Sequence, residues 1–189
     1  MEERGVFVDH SSINRWAIRF LPLLEKTFRK HKRPVDGSWR MDETYIKVKG
    51  VWKYLYRAVD KEGKTVDFLL TAKRDKAATN RFFEKAMRNN GDPEKVAKDK
   101  SGANKADIDG INNDRKLPIE VRQIKYLNNI VEQDHRAIKH VTKPMLNFKS
   151  FRSARNVRAG IELMHMIRKG QMAEENQMSF AEQFYALAG

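Results

Sequence analysis

The chain has 189 residues, 40% of them hydrophobic, and its 38 Lys and Arg outnumber its 25 Asp and Glu to give a formal net charge of +13. This length allows one main core with at most a small second module, and the positive charge favours a polyanionic partner, either a nucleic acid or an anionic membrane. The absence of cysteine excludes disulfides, thiolate zinc sites and a cysteine nucleophile. No apolar run approaches the roughly 20 residues that span a bilayer, and the N-terminus lacks the features of a signal peptide, so we expect a cytoplasmic protein.

The first predicted element is helical and covers residues 11–31. Its apolar residues recur at helical spacing and form one stripe, which comprises Ile13, Trp16, Ala17, Phe20, Leu24 and Phe28. Pro22 is expected to divide the segment, ending one helix near Phe20 and beginning the next. We interpret residues 1–33 as part of a DNA-binding helix-turn-helix whose first helix would be missing, and residues 34–38 as a linker.

Three strand-like runs follow the linker, separated by short turns, and predict an antiparallel meander. The predicted strands are 39–48, 51–59, 65–71, 95–99 and 121–126, and the predicted helices are 76–89, 129–141, 150–169 and 180–187, with a loop or helix over 101–113. This order is that of the α/β ribonuclease H-like fold, a mixed sheet of three antiparallel and then two parallel strands with flanking helices. The predicted core runs over residues 39–170 and leaves residues 171–189 as a tail.

Positive charge is concentrated in two segments that flank an almost balanced centre. Residues 10–33 hold Arg15, Arg19, Lys26, Arg29, Lys30, Lys32 and Arg33 against Glu25, and residues 136–170 hold Arg136, Lys139, Lys143, Lys149, Arg152, Arg155, Arg158, Arg168 and Lys169 against Glu162. One such segment alone could be a solvated helix face, whereas two together favour contact with a phosphate backbone. We predict DNA contacts at Arg15 and Arg19, and along a stripe of Arg152, Arg155 and Arg158, which recur every three residues.

Two acidic residues lie where predicted strands deliver side chains to the edge of a sheet. Asp42 alternates with Thr44, Ile46 and Val48 on one face of its strand, and that face is predicted to be buried. An ionised Asp among apolar neighbours is costly unless it is paired or bound to a metal ion. Asp99 ends the short strand 95–99, from which its side chain can project off the edge of a central sheet.

A third acid lies on the predicted helix 129–141. Glu132 shares its helical face with Arg136 and Lys139, because these residues fall within roughly 40° of it at 100° per residue. Asp134 falls about 200° away on the same helix. Glu132 is therefore the acid of this helix that we group with the cations.

Each acid alone has an ordinary explanation, as a surface residue or as a member of an i,i+4 ion pair. Three convergent carboxylates, however, would repel one another unless hard cations with oxygen ligands neutralised them. Two Mg²⁺ ions about 4 Å apart can activate the attacking oxygen and stabilise the leaving oxygen of a displacement at phosphorus. The pattern, combined with the strand order and the basic flanks, predicts metal-dependent cleavage of DNA by Asp42, Asp99 and Glu132.

Two other groups of residues have both a structural and a functional interpretation. His135 could be a proton shuttle, and we interpret it instead as a surface histidine on a basic helix. Trp52, Tyr54 and Tyr56 alternate on one strand and could stack on splayed bases. We interpret these three residues instead as core aromatics of the meander.

Four stretches of sequence carry a specific resemblance to a known family. They are WRMDETYIKVKGVWKYLYRAVDKEGKTVDFLL, DKSGANK, RQIKYLNNIVEQDHRAIK and NFKSFRSAR. They resemble the DDE transposases of bacterial insertion sequences, in the group typified by insertion sequence twenty-six, whose catalytic core is of the integrase type. The family's first Asp lies in the MDET motif, its second opens the DK motif and its Glu lies in NNIVEQDH. These positions correspond here to Asp42, Asp99 and Glu132, and Glu132 follows Asp99 by 33 positions.

The resemblance implies a ribonuclease H-like core with two Mg²⁺ ions, for which Mn²⁺ can substitute. It also implies double-stranded DNA partners, the inverted-repeat ends and a target, and a homodimer or larger synaptic assembly on the bacterial nucleoid, with no membrane partner. A basic residue seven positions after the Glu usually contacts terminal DNA in this family, and here it is Lys139, with Arg136 beside it. Relatives carry a complete helix-turn-helix before the core, so the resemblance implies an N-terminal truncation.

Three functions are therefore compatible with the sequence. The first is a transposase that cleaves DNA at inverted-repeat ends and transfers the freed strand to target DNA. The second is a nuclease of the same fold that cuts without joining. The third is a truncated, non-catalytic protein that binds DNA or pairs with intact transposase as a regulator.

Overall fold

The computed structural model describes residues 5, 7–98, 112, 118–123, 129–145, 148–173 and 178–187. The chain forms two compact units, which we call the sheet unit, Pro34–Asn147, and the helical unit, Met1–Arg33 together with Phe148–Gly189. The predicted core extends to residue 170, beyond the end of the sheet unit. The predicted boundaries of the DNA-binding region, the linker and the core, at residues 33, 38 and 170, stay a prediction.

The sheet unit is built on five strands in the order β3-β2-β1-β4-β5. They are β1 Ser38–Val48, β2 Val51–Asp60, β3 Thr65–Thr71, β4 Lys95–Lys98 and β5 Glu120–Gln123. The first three pair antiparallel, while β4 is parallel to β1 and β5 is parallel to β4. The predicted meander followed by two parallel strands is therefore confirmed, and with it the ribonuclease H-like order.

The turns of the meander follow from their sequences. Lys49 and Gly50 connect β1 to β2 with φ angles of +50° and +77°, as a two-residue turn with a positive φ at both positions requires. In the next turn, the carboxylate of Asp60 accepts hydrogen bonds of 2.9 Å from the amides of Glu62 and Lys64. An aspartate that bonds to the backbone just after it is a common way to close a turn.

One face of the sheet carries the main hydrophobic core. Helix α2, Lys76–Asn90, lies over this face and brings Phe82 and Phe83 against Trp39, Met41, Tyr56 and Ala58. These strand residues alternate along β1 and β2, because successive side chains of a strand point to opposite faces. The predicted helix over 76–89 is confirmed.

The opposite face is covered by helix α3, Asn129–Thr142, which packs against β1 and β2. The buried residues of α3 are Val131, Asp134, His135 and Ile138, a spacing of three, four and seven that places them on one side of a helix. A short 3₁₀ turn, Lys143–Met145, follows α3.

The helical unit begins with one continuous helix, α1, His10–Lys30, which contains Pro22. The prediction that Pro22 divides this segment is wrong, and the reason lies in a neighbouring helix. A proline cannot donate a hydrogen bond to the carbonyl four residues before it, which here belongs to Ile18. The side-chain amide of Asn156 donates to that carbonyl at 2.8 Å, so the acceptor that Pro22 leaves open is satisfied.

Asn156 lies on α4, Phe151–Arg168, which packs along α1. The two helices approach closely at Gly160, where an added Cβ would overlap the side chain of Leu21, with its Cγ at 2.9 Å. A last helix, α5, covers Phe180–Ala186, in agreement with the prediction for 180–187. Within the described residues, no helix is both long and apolar enough to cross a membrane.

Candidate active site

Asp42 lies in the middle of β1, directly opposite Arg57 on β2. Residues paired in this way point to the same face of an antiparallel sheet, which here is the face covered by α3. The side chain of Asp42 is 27% exposed, whereas Thr44, Ile46 and Val48, which share its face, are buried. The prediction of a buried face around Asp42 is confirmed, and Asp42 is the acid on it that keeps access to water.

Two successive residues of α3 contact this cross-strand pair. Nε2 of His135 lies 3.4 Å from Oδ2 of Asp42, and Oδ2 of Asp134 accepts a hydrogen bond of 2.5 Å from Nε of Arg57. Arg57 also donates to the hydroxyl of Thr65 on β3 at 3.0 Å. Side chains thereby join α3 directly to β1 and β2. Arg57 extends this connection to β3, beside the carboxylate of Asp42.

The interpretation of His135 as a surface residue is wrong. Its side chain is 4% exposed and faces Asp42. The sequence contains a signal that places it correctly, because residues 131, 134, 135 and 138 form a single side of the helix. Polar residues are ordinarily expected at the surface, but Asp134 and His135 face Arg57 and Asp42 within the protein.

Glu132 lies on the other side of α3, where it is exposed together with Arg136 and Lys139. The predicted grouping of these three residues on one helical face agrees with the structure. Among the described residues, no three His, Asp or Glu side chains form a group that could hold a metal ion, so Glu132, Asp42 and His135 do not make such a group by themselves. Asp99, the second of the three predicted ligands, lies outside the described residues.

The strand that leads to Asp99 is well placed in the sheet. β4 pairs in parallel with β1, and the last pair joins Arg40 to Ala97. β4 ends at Lys98, whose side chain is buried. This register places the last described pair of β1 and β4 two positions before Asp42, and the predicted position of Asp99 at the edge of the sheet stays a prediction.

The predicted DNA-contacting arginines fall into two classes. Arg15, Arg19, Arg152 and Arg155 are exposed, whereas Arg158 is buried and pairs with Glu162 at 2.6 Å. The stripe of three arginines is therefore wrong at Arg158. A spacing of three residues drifts by about 60° per step around a helix, so the third arginine turns toward the packed side.

The aromatic residues of β2 also differ from one another. Tyr56 is fully buried and stacks with Phe82, as expected for a core aromatic. Trp52 is 58% exposed, so the core interpretation is wrong for this residue. Trp52 lies near the start of β2, before the strand enters the core, and the alternating pattern alone cannot reveal where the core begins.

The sequence matches the family model described as a DDE domain, of the IS240 transposase type, over residues 36–171. It is 37% identical over 170 residues to the transposase for insertion sequence-like element IS431mec of Staphylococcus aureus, across 89% of this chain and 75% of that protein. The chain belongs to the DDE transposases of insertion sequences. It is equally 37% identical, over 167 residues, to the transposase for insertion sequence element IS257 in transposon Tn4003, also of Staphylococcus aureus, across 88% of this chain and 73% of that protein.

Solved structures support the same fold for this DDE transposase. The trimeric form of the HTLV-2 integrase catalytic core domain in complex with magnesium has a TM-score of 0.56 and 18% identity, and the match covers 70% of this chain and 88% of that chain. The simian T-cell lymphotropic virus intasome in complex with PP2A regulatory subunit B56 gamma has a TM-score of 0.53 and 14% identity, over 82% of this chain and 57% of that one. At these identities the likeness shows the integrase-type, ribonuclease H-like fold.

Family membership establishes the class of reaction. The protein is a polynucleotidyl transferase that acts in the transposition of an insertion sequence, and the prediction of a DDE transposase is confirmed. With the DDE domain comes a dependence on divalent metal ions.

Proposed function

We propose that Asp42, Asp99 and Glu132 bind two divalent metal ions, Mg²⁺ or Mn²⁺, and that the protein uses them to cleave DNA at inverted-repeat ends and to join the freed strand to target DNA. The register of β4 against β1 carries this proposal. Arg40 pairs with Ala97, and Asp42 and Asp99 each follow one member of that pair by two positions in the sequence.

The neighbouring acids support the choice of these carboxylates. Glu43, adjacent to Asp42, pairs with Arg74 at 2.7 Å, and Asp134, two positions from Glu132, pairs with Arg57. Both are thus engaged by arginines within the fold. Asp42 and Glu132 keep access to solvent, and carboxylate oxygens are the donors that Mg²⁺ and Mn²⁺ prefer.

The chain's own residues would orient the reaction. His135 contacts Asp42 and limits the directions in which that carboxylate can turn. The pair between Arg57 and Asp134 holds α3, which carries Glu132, against the sheet. The metal ions, when bound, would activate the attacking oxygen and stabilise the leaving oxygen at phosphorus.

Exposed cations supply surfaces for the DNA. Lys139 and Arg136 share the exposed side of α3 with Glu132, so phosphates bound there would lie beside the proposed metal ligand. We propose Arg15, Arg19, Arg152 and Arg155 as further phosphate contacts on the helical unit. By analogy with the named intasome we also propose a dimer or larger assembly on two DNA ends, in the bacterial cytoplasm.

A strand-transfer assay with inverted-repeat ends, a target duplex and Mg²⁺ or Mn²⁺ tests the proposal. We expect cleavage and joining by the full chain, loss of both in Asp42→Asn and Asp99→Asn, and full activity in Asp92→Asn, which changes an exposed Asp. Cleavage without joining would indicate a nuclease, and salt-sensitive binding without either reaction would indicate a regulator. Undiminished joining by Asp42→Asn would overturn the assignment of the first ligand.

A further inference from the structure

The β1–β2 hairpin extends beyond the rest of the sheet. Among the described pairs, β4 reaches only Arg40 on β1, and β3 reaches only Tyr54 on β2. Beyond these points the two strands pair with each other as far as Val48 and Val51. We call residues 45–54 the ribbon.

The ribbon is positively charged and contains no acid. Its ten residues include Lys47, Lys49 and Lys53 and neither Asp nor Glu, although acids make up 25 of the 189 residues of the chain. Lys47 and Lys49 are exposed. A local charge of this kind, without compensating acids, is the feature that attracts a phosphate backbone.

Exposed aromatic side chains lie among these lysines. Trp52 is 58% exposed and Tyr45 is 47% exposed. Nζ of Lys47 lies 5.5 Å from the centre of the Trp52 ring, and Tyr45 meets Tyr54 edge to face at 5.3 Å between ring centres. Each ring therefore has a neighbour within the ribbon, and Trp52 is still more than half exposed.

Lys49 at the tip adopts a backbone conformation that lysine disfavours. Its φ of +50° is the one positive φ at a non-glycine among the described residues. Asn or Asp is preferred before Gly in such a turn, and a side chain other than these in the left-handed region costs about 1–2 kcal/mol. The turn would form more easily with Asn at this position. The conformation of the turn therefore does not explain why a lysine occupies position 49.

We propose that the ribbon is a DNA-binding surface of this transposase, in which Lys47, Lys49 and Lys53 contact phosphates and Trp52 packs against a sugar or an unstacked base. The combination of charge and aromatic rings favours DNA over a protein partner, because lysine is depleted at protein–protein interfaces. Base–aromatic stacking contributes to affinity with little sequence preference. This proposal rests on the proposed cleavage and joining of DNA, and it adds the ribbon to the surfaces that would bind that DNA.

The position of the ribbon predicts where the DNA would be contacted. Lys47 and Lys49 follow Asp42 by five and seven positions along β1 and the turn. At about 3.3 Å per residue this corresponds to roughly 16–23 Å, or about five to seven base pairs at 3.4 Å each. The ribbon would therefore hold the duplex beside the cleavage point and not the scissile phosphate itself.

Fluorescence anisotropy of the full chain with a labelled duplex, measured over a series of salt concentrations, tests the proposal. The ribbon variant combines Lys47→Ala, Lys49→Asn and Lys53→Ala. The control variant combines Lys61→Ala, Arg88→Ala and Lys95→Ala, which removes the same charge outside the ribbon, from the residue after β2, the last turn of α2 and the start of β4. We expect the ribbon variant to bind about a hundredfold more weakly at low salt and its log–log salt slope to fall by about 2 to 3, with much smaller changes in the control.

Two single variants separate binding from folding. Lys49→Asn should hold or raise the thermal stability while it weakens DNA binding, because Asn suits the turn. Trp52→Ala should weaken binding about tenfold, and Trp52→Phe should restore most of the loss.

Equal binding by the ribbon and control variants would overturn the proposal, as would a ribbon variant that changed the oligomeric state in sedimentation while its DNA affinity stayed intact. The proposed function has a separate readout. If the unmodified chain joins DNA and the ribbon variant binds and joins equally well, the ribbon proposal fails alone. If ribbon variants lose binding but the unmodified chain neither cuts nor joins, the proposed reaction fails alone.

Discussion

Asp134 on α3 accepts a hydrogen bond of 2.5 Å from Arg57 on β2, and the exposed fractions of the two side chains are 6% and 0%. A charge pair this well shielded from water is costly to form and still more costly to break, because either partner left alone is a buried charge without compensation. The pair therefore fixes the position of α3 on the sheet, and α3 carries both His135 and Glu132.

Arg57→Met should lower the free energy of unfolding by about 3–5 kcal/mol, because Asp134 would remain buried without its cation. Arg57→Met combined with Asp134→Leu should recover most of this loss. Lys61→Met is the matched control, since Lys61 pairs with Asp36 but is 55% exposed, and exposed pairs contribute about 0–1 kcal/mol. Urea titration measures all three, and a loss in Arg57→Met no larger than in Lys61→Met would contradict the anchoring role.

Glu132→Gln should leave the free energy of unfolding within about 0.5 kcal/mol of the original, because Glu132 is exposed. Strand transfer should fall by about a thousandfold or more, since a lost metal ligand removes several kcal/mol of transition-state stabilisation. Glu84→Gln changes an exposed Glu on α2 and should leave strand transfer unchanged. A Glu132→Gln protein that joined DNA normally would remove Glu132 from the proposed metal ligands.

Asn156→Ala should lower stability by about 1–3 kcal/mol, because the carbonyl of Ile18 would lose its donor. In a Pro22→Ala background the same substitution should cost less, since the alanine amide introduced there can donate to Ile18 in the ordinary helical way. A double-mutant cycle by thermal or chemical unfolding measures this coupling. Strictly additive effects would mean that Asn156 does not compensate for Pro22.

Gly160→Ala should lower stability by about 1–3 kcal/mol, because the new methyl group would overlap Leu21. Combining it with Leu21→Ala makes room for the methyl group, so the double variant should lose less than the sum of the two single variants. Gly170→Ala is an informative comparison, because a Cβ there would meet open space and only its φ of +64° would be strained. A Gly160→Ala protein as stable as the original would show that the Leu21 side chain can shift away from the methyl group without cost.

Burial raises the pKa of the Tyr56 phenol above its ordinary value. The neutral phenol is therefore favoured in the folded state, and its contribution is fully present below the pKa of the unfolded chain, about 10. As the pH rises from there toward the higher folded pKa, the unfolded chain loses its proton first, so stability falls by up to about 1.4 kcal/mol per pH unit. Unfolding of the original and Tyr56→Phe between pH 9 and 11 should give a steeper decline in the original, and parallel declines would contradict the prediction.

The sequence predicted the sheet well because alternation, turn residues and strand order all depend on neighbours close in the chain. The boundaries of β1, β2 and β3 differ from the predicted ones by at most one residue at each end. The error at Pro22 arose because a distant residue decided the outcome. Pro22 stays within a helix because Asn156 serves the carbonyl of Ile18, and no local pattern contains that contact.

The candidate site was also predicted in part. Alternation places Asp42 on the correct face, and helical spacing correctly groups Glu132 with Arg136 and Lys139. The prediction for His135 is wrong because its polarity was taken to indicate the surface, although its spacing from residues 131, 134 and 138 places it on the buried side of α3, beside Asp42. The prediction for Arg158 is wrong because a spacing of three residues drifts around the helix, so Arg158 lies on the packed side of α4, where it pairs with Glu162.

The hydrogen bond between Asn156 and Ile18 joins residues 138 positions apart. The ribosome therefore makes the acceptor well before it makes the donor. At about 5–20 residues per second on a ribosome, the α1 segment would emerge on the order of ten seconds before the helix that completes its hydrogen bonding. During that interval the whole sheet unit leaves the ribosome and can fold, because it is contiguous in the chain. Newly made molecules would therefore pass through a stage in which the catalytic sheet is formed while Pro22 still interrupts an unsupported helix.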